Sequence, residues 1–134
     1  NVTPASNSAM AKVLHALGLL LDDAKQVARA ERMLGHVKDQ MEQFPSSFSN
    51  WGQLAQAIAY PYFEVATTGP EALQRRVEFG EHYLPNVLFV GSLGKSDLPI
   101  LEDRLMDGTT IFVCERKVCQ LPVETVAKAL AQMQ

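Results

Sequence analysis

The spacing of apolar residues changes once along this chain, from a three-four rhythm in residues 1–59 to short continuous runs in residues 60–134. Met10, Val13, Leu14, Leu17 and Leu21 fall on one face of a helix that Ser6 or Ser8 can cap. Gly18 interrupts it, and Asp22-Asp23 open the next helix, where carboxylates favour the positive dipole end. That second helix carries Val27, Ala30, Leu34, Val37, Met41 and Phe44, the most regular pattern in the chain. Its other face holds Lys25, Arg29, Glu31, Arg32, Lys38, Asp39 and Glu42, which reads as a solvated surface. Pro45 ends it. A third helix follows Ser46-Ser47, with Phe48, Trp51, Leu54, Ala55 and Ile58 inward. Short connections make the three antiparallel neighbours. Stripes this narrow bury little alone, so the helices are expected to form one wall of a larger helical assembly, such as an α-hairpin barrel.

After Tyr60-Pro61 the period shifts to that of strands. Tyr62 to Thr68 reads as the first strand, and Gly69-Pro70-Glu71 as a turn with proline at a helix start. The helix from Glu71 to about Tyr83 is expected to bury Leu73, Val77, Gly80 and Leu84 before Pro85 stops it. Asn86 to Val90 is a second, apolar strand. Leu98 to Met106 reads as a short helix, Asp107-Gly108 as a tight turn, and Thr109 to Cys114 as the third strand. A last helix, beginning near Pro122-Val123-Glu124, presents Val123, Val126, Ala127, Leu130 and Met133. Strand alternating with helix predicts a small three-stranded, mainly parallel βαβ sheet with right-handed crossovers. Strands two and three lack polar alternation, so both faces of the sheet are expected to be covered. The fold class is therefore mixed α/β, with helical and α/β parts joined at a soft boundary near Ala59.

Composition narrows the functional classes. The chain has 134 residues, 47% of them hydrophobic, enough for a core in one domain or a piece of one. Net charge is −3 with no basic stripe, which argues against nucleic acid as a partner. The longest apolar run, Leu17 to Leu21, is far short of the roughly 20 residues that cross a bilayer. No secretory signal is present, and two cysteines are too few for a disulfide framework, so a cytoplasmic setting is expected. The first residue is Asn rather than Met, which suits a fragment of a longer protein.

Cys114 and Cys119 are the only cysteines: the first closes the third strand, and the second opens the approach to the last helix. Three readings stand side by side. They can be small buried apolar residues, contacts for a metal or substrate, or a reversible disulfide. A turn through Arg116-Lys117 can bring the Cα atoms within the roughly 7 Å a disulfide requires, and those cations favour thiolate over thiol. Gly91-Ser92-Leu93-Gly94-Lys95-Ser96 follows a strand, but only two residues separate its glycines where a phosphate loop needs four. Thr67-Thr68-Gly69 reads as a plain strand-to-helix turn. His15, His36 and His82 lie on separate helices without zinc-ligand spacing, so neither metal nor cofactor is expected. His36 and His82 suit the surface, and His15 a helix contact.

Phe112-Val113-Cys114, then Cys119-Gln120-Leu121-Pro122-Val123 and a helix rich in alanine and leucine, resemble the carboxyl terminus of a known family. It is the thioredoxin-domain-containing family that includes spermatogenesis-associated protein 20 and bacterial YyaL-type proteins. Further likenesses keep the same order. Pro4-Ala5-Ser6-Asn7-Ser8 is similar to the family's Pro-Ser-Gly-Asn-Ser segment, and Gly52-Gln53-Leu54 and Glu64 to Gly69 to its later helix and strand. Ala5-Ser6 departs from Ser-Gly, and Leu121 stands where proline is common. The resemblance implies a carboxyl-terminal segment of a much longer, redox-linked or carbohydrate-related protein. Its helices would be closing hairpins of an α/α toroid akin to six-hairpin glycosidases, and its sheet a terminal appendage. No complete active site is then expected here. Asn7, Ser8, Trp51 and Gln53 would be the groups lining a sugar-like ligand, and the partner would be the rest of the parent chain or a second copy. The alternatives are a non-catalytic docking or oligomerisation module and a Cys114/Cys119 dithiol switch.

Overall fold

The computed structural model describes residues 6–134, so Pro4 and Ala5 of the amino-terminal motif lie outside the described residues. The chain divides into two compact units, the first ending at Tyr60 and the second spanning Pro61–Gln134.

In the first unit, α1 (Ser6–Leu20) and α2 (Ala24–Gly35) form a hairpin. Asp22 turns the chain with φ 54°, and the Asp23 carboxylate caps α2 by accepting from the Lys25 N–H at 2.9 Å. Gly18 does not interrupt α1. It is buried where the helices meet, and a Cβ there would lie 2.9 Å from the Val27 backbone nitrogen. Close approach at Gly18 sets which face turns inward: Ser8, Ala11, Leu14, His15 and Gly18 are buried. Of the expected apolar stripe only Leu14 is covered, while Met10, Val13, Leu17 and Leu21 stay 40–54% exposed. Small side chains let helix backbones approach, and the bulky stripe is left to the outside.

The second stripe is also divided. The helix stops at Gly35, the weakest helix former in the segment, where the His36 N–H bonds back to Arg32 and Leu34. A short α3 (Lys38–Gln43) and a 3₁₀ turn (Pro45–Phe48) follow, then α4 (Ser49–Ala59). Ala11, Trp51 and Leu54 form the core of this unit, flanked by Met33, Leu34, Val37, Met41, Phe48 and Ile58. Phe44, past the break, is 61% exposed.

His15 makes the first unit pH-sensitive. Burial pushes its imidazole below the ordinary 6.5, and the Glu31 charge opposes that only in part. As pH falls through 6.5, the unfolded chain takes up a proton that folded His15 resists. Stability contributed at neutral pH is therefore lost on acidification. Urea midpoints of the first unit are expected to drop between pH 8 and pH 5, and His15→Gln to flatten that drop.

The second unit is built on four strands, β1 (Phe63–Thr68), β2 (Val87–Ser92), β3 (Thr110–Glu115) and β4 (Val118–Cys119), in the order β2-β1-β3-β4. β1 and β2 are parallel and joined through α5 (Ala72–Phe79), as expected of a crossover. β3 is not parallel. Thr68 pairs with both Ser92 and Thr110, so the chain leaves β2 and enters β3 at the same end of the sheet. Leu98 to Met106 holds only a 3₁₀ turn (Pro99–Leu101), with no helix to carry the chain back along the sheet. β3 therefore runs antiparallel to β1 and hairpins into a fourth strand that sequence reading lacked. β2 lies at one sheet edge and is half-buried rather than covered on both faces.

One sheet face packs Phe63, Val65, Ile111 and Val113 against Phe79 of α5 and against Val126 and Ala129 of α6 (Val126–Ala131). α5 turns Ala72 and Phe79 inward, leaving Leu73 and Val77 70% and 65% exposed, opposite to the phase expected. Phe79 is drawn in by Phe89, whose ring centroid lies 5.1 Å away. The other face carries Glu64, Ala66, Thr68, Phe112 and Cys114, and the segment ending at Arg104 lies over it.

Candidate functional site

The β3–β4 hairpin decides what the cysteines can do. Glu115 pairs with Val118, which leaves Arg116 and Lys117 as a two-residue loop with φ of 49° and 69°. Two successive positive φ values match the twist of the flanking strands, and Asn-Gly usually supplies them. Arg and Lys hold this conformation at a cost of about 1–2 kcal/mol each. The register then sets Cys114 directly opposite Cys119, and the two are joined as a disulfide with Cα atoms 3.9 Å apart.

The two sulfurs have different surroundings. Cys114 is 1% exposed, whereas Cys119 lies on the exposed short strand. Arg104 sits beside the outer one: its Nη2 donates to Cys119 Sγ at 3.3 Å, and its guanidinium carbon is 5.4 Å from the Phe112 ring centroid. The Thr68 hydroxyl holds the Arg104 backbone by donating to its carbonyl at 2.7 Å. Glu64, almost fully buried, pairs with Cys114 across β1 and β3. Burial pushes the Arg104 pKa down, and the Glu64 charge opposes that shift. Burial, reinforced by Glu64, also raises the Tyr62 phenol above its ordinary 10.0 and keeps it protonated.

A second constellation lies in the helical unit. Asn50 Nδ2 donates to Ser8 Oγ at 2.7 Å. Lys12 Nζ donates to Asn50 Oδ1 at 3.1 Å and to Gln53 Oε1 at 2.6 Å. Ser8 and Gln53 are thus tied together through Asn50 and Lys12, and Asn7 is exposed at the start of α1. Trp51 packs instead into the core beside Ala11 and Leu54.

At the carboxyl ends of β1 and β2, a cavity of about 360 Å³ is lined by Thr67, Ala72, Arg76, Phe89, Gly91 and Leu93. Gly91 belongs to β2 itself, and the Ser92 hydroxyl bonds to the Gly94 carbonyl and N–H, so this segment closes on itself as a tight turn. Among the described residues no group of three His, Cys, Asp or Glu side chains could hold a metal ion, and no helix is long and apolar enough to cross a membrane.

Sequence reading missed Arg104, Glu64, Lys12 and Asn50. Ser8 and Lys12, four apart, and Asn50 and Gln53, three apart, each share a helix face, and that spacing is a readable signal. Arg104 has none: it reads as one more charge in an expected helix, and only the returning β3 carries Cys119 to it. Comparison with known proteins finds no matching family model, no matching curated protein and no matching solved structure.

Proposed function

We propose that this chain is the carboxyl-terminal portion of a protein of the thioredoxin-domain type that it resembles. In this reading the parent is redox-linked or carbohydrate-related, and no complete active site lies within the described residues. The observation that carries the reading is the bare apolar face of α1. Met10, Val13 and Leu17 on α1, and Leu21 just past its end, are each at least 40% exposed, as a toroid hairpin would be without its neighbouring hairpins. The ordered sequence motifs supply the family. A sugar-like ligand in such a toroid would meet Asn7, Gln53, Lys12 and Asn50, the polar groups that α1 and α4 bring together or leave exposed.

Site-directed labelling tests the reading. A Val13→Cys variant in a Cys114→Ser/Cys119→Ser background reacts freely with maleimide in this chain alone. Expressed within the gene's full open reading frame, it is expected to be protected about tenfold or more, because neighbouring hairpins then cover α1. Equal reactivity in both would remove the reading.

A second reading, a Cys114/Cys119 dithiol switch, is favoured by a separate observation. One cysteine lies on the exposed β4 with its sulfur beside a cation and the other is buried, an arrangement that suits entry at one end and resolution from the other. A pair that stays bridged in every thiol buffer would be structural instead.

A further inference from the structure

We propose that Arg104 is the positioning residue that makes Cys119, and not Cys114, the sulfur through which thiols exchange with this protein. The proposal rests on the dithiol reading above and deepens it by assigning entry sulfur, charge partner and co-reactant. The co-reactant is a small thiol of the glutathione class or an exposed cysteine of another protein, with the small thiol used as probe.

Access decides the first point. Attack on a disulfide needs an approach to the sulfur opposite the bond that breaks. Cys114 is 1% exposed beneath the sheet face, whereas Cys119 is on the exposed β4. The step is then defined. An external thiolate bonds to Cys119 Sγ, the Cys119–Cys114 bond breaks, and its electron pair leaves with Cys114 sulfur, which takes a proton. A second external thiolate attacks the outer sulfur of the mixed disulfide, releasing the small disulfide and Cys119 as thiolate. Two thiols are oxidised and one disulfide is reduced, so electrons and protons balance. Oxidation runs the same path backwards, again through a mixed disulfide on Cys119.

Charge decides the second point. Arg104 Nη2 already reaches Cys119 Sγ, and Nη1 is buried with no hydrogen-bond partner. A bridged sulfur is a weak acceptor. A thiolate is a full negative charge with room for more than one donor, so reduction of Cys119 offers Nη1 an acceptor and adds a second anionic partner to the Glu64 charge already acting on Arg104. The guanidinium is held for this by the Phe112 ring and by Thr68 through the backbone carbonyl. It stays protonated wherever thiols titrate. Arg104 thereby favours the reduced state and speeds exchange at the sulfur it touches.

The experiment uses the whole chain. In Cys114→Ser, the pH profile of Cys119 alkylation by iodoacetamide is expected to show a pKa below the ordinary value of about 8.5. Arg104→Gln should raise it and slow alkylation at pH 7 roughly tenfold, with Arg104→Lys recovering part of the rate. Glutathione disulfide should load Cys119 in Cys114→Ser at least tenfold faster than Cys114 in Cys119→Ser. In the unsubstituted pair, Arg104→Gln should shift the midpoint in glutathione buffers toward the bridged form. An ordinary Cys119 pKa with Arg104 in place overturns the proposal, even if Arg104→Gln fails to fold. Equal loading of both cysteines, or a profile indifferent to Arg104→Gln, also overturns it while leaving a reversible dithiol intact. A bridge that no glutathione buffer opens removes the dithiol reading itself.

Discussion

Gly69→Ala is expected to unfold the α/β unit. Gly69 follows β1 with φ 112°, a conformation that side-chain-bearing residues rarely adopt. A Cβ there would overlap the Gly108 carbonyl oxygen and lie 2.8 Å from Thr109 Cα, both on the backbone entering β3. No rotamer relieves a clash with backbone. The Gly69 N–H also donates to the Ser92 carbonyl at 2.9 Å, so movement at Gly69 pulls on the end of β2 as well. The strained conformation and the overpacking cost about 1–3 kcal/mol each. Together they approach the whole stability of a small domain, which starts near 5 kcal/mol. Urea unfolding followed by circular dichroism should show the cooperative strand signal lost or its midpoint sharply lowered. Gly94→Ala is the control, because a Cβ there meets nothing within 4 Å. Equal midpoints for the two variants would show that Gly69 is not a tight junction.

Phe79→Ala is the second large effect, at about 3–5 kcal/mol. Phe79 is 1% exposed, touches the Phe89 ring and sits in the cluster that joins α5 to the sheet. Truncation leaves a cavity between two rigid layers that cannot close over it. Val77→Ala, two residues earlier and 65% exposed, should change stability by no more than about 0.5 kcal/mol. The pair separates the two possible phases of α5. If Val77→Ala is the more damaging, the helix is turned as its sequence alone suggests.

What the sequence made legible follows from how locally each feature is determined. The runs Val87 to Val90 and Thr110 to Cys114 are dense enough in β-branched and aromatic residues to be strands in almost any setting. The α5 crossover follows from Gly69-Pro70 and the helix formers after it. Direction in β3 is not local. It depends on whether Leu98 to Met106 spans the sheet, and Pro99 with three leucines mimics a helix that forms only a single turn. The inward face of α1 is not local either. A heavy stripe of Met10, Val13 and Leu17 outweighs Ser8, Ala11 and Gly18 in any hydrophobic pattern, yet the small residues are what another backbone can approach.

The candidate site divides in the same way. The cysteine pair and a turn through Arg116-Lys117 can be read from spacing as one option among three, but the register that sets Cys114 opposite Cys119 comes from β4, which the sequence reading lacked. Lys12 and Asn50 were within reach, since the helix repeat places Lys12 on the face of Ser8 and Asn50 on that of Gln53. Arg104 was not. Its place depends on the reversed strand, so the error in topology and the missed residue have one cause.

The apolar edge strand has a consequence for handling the protein. β2 presents Val87-Leu88-Phe89-Val90 at the rim of the sheet, where the outward amide and carbonyl groups form a ready template for another extended chain. The opposite rim is blunted, because β4 has two residues and follows a doubly cationic bend. Crowded or partly melted molecules should therefore stick through one margin only, pairing rim to rim as closed dimers rather than growing into ribbons.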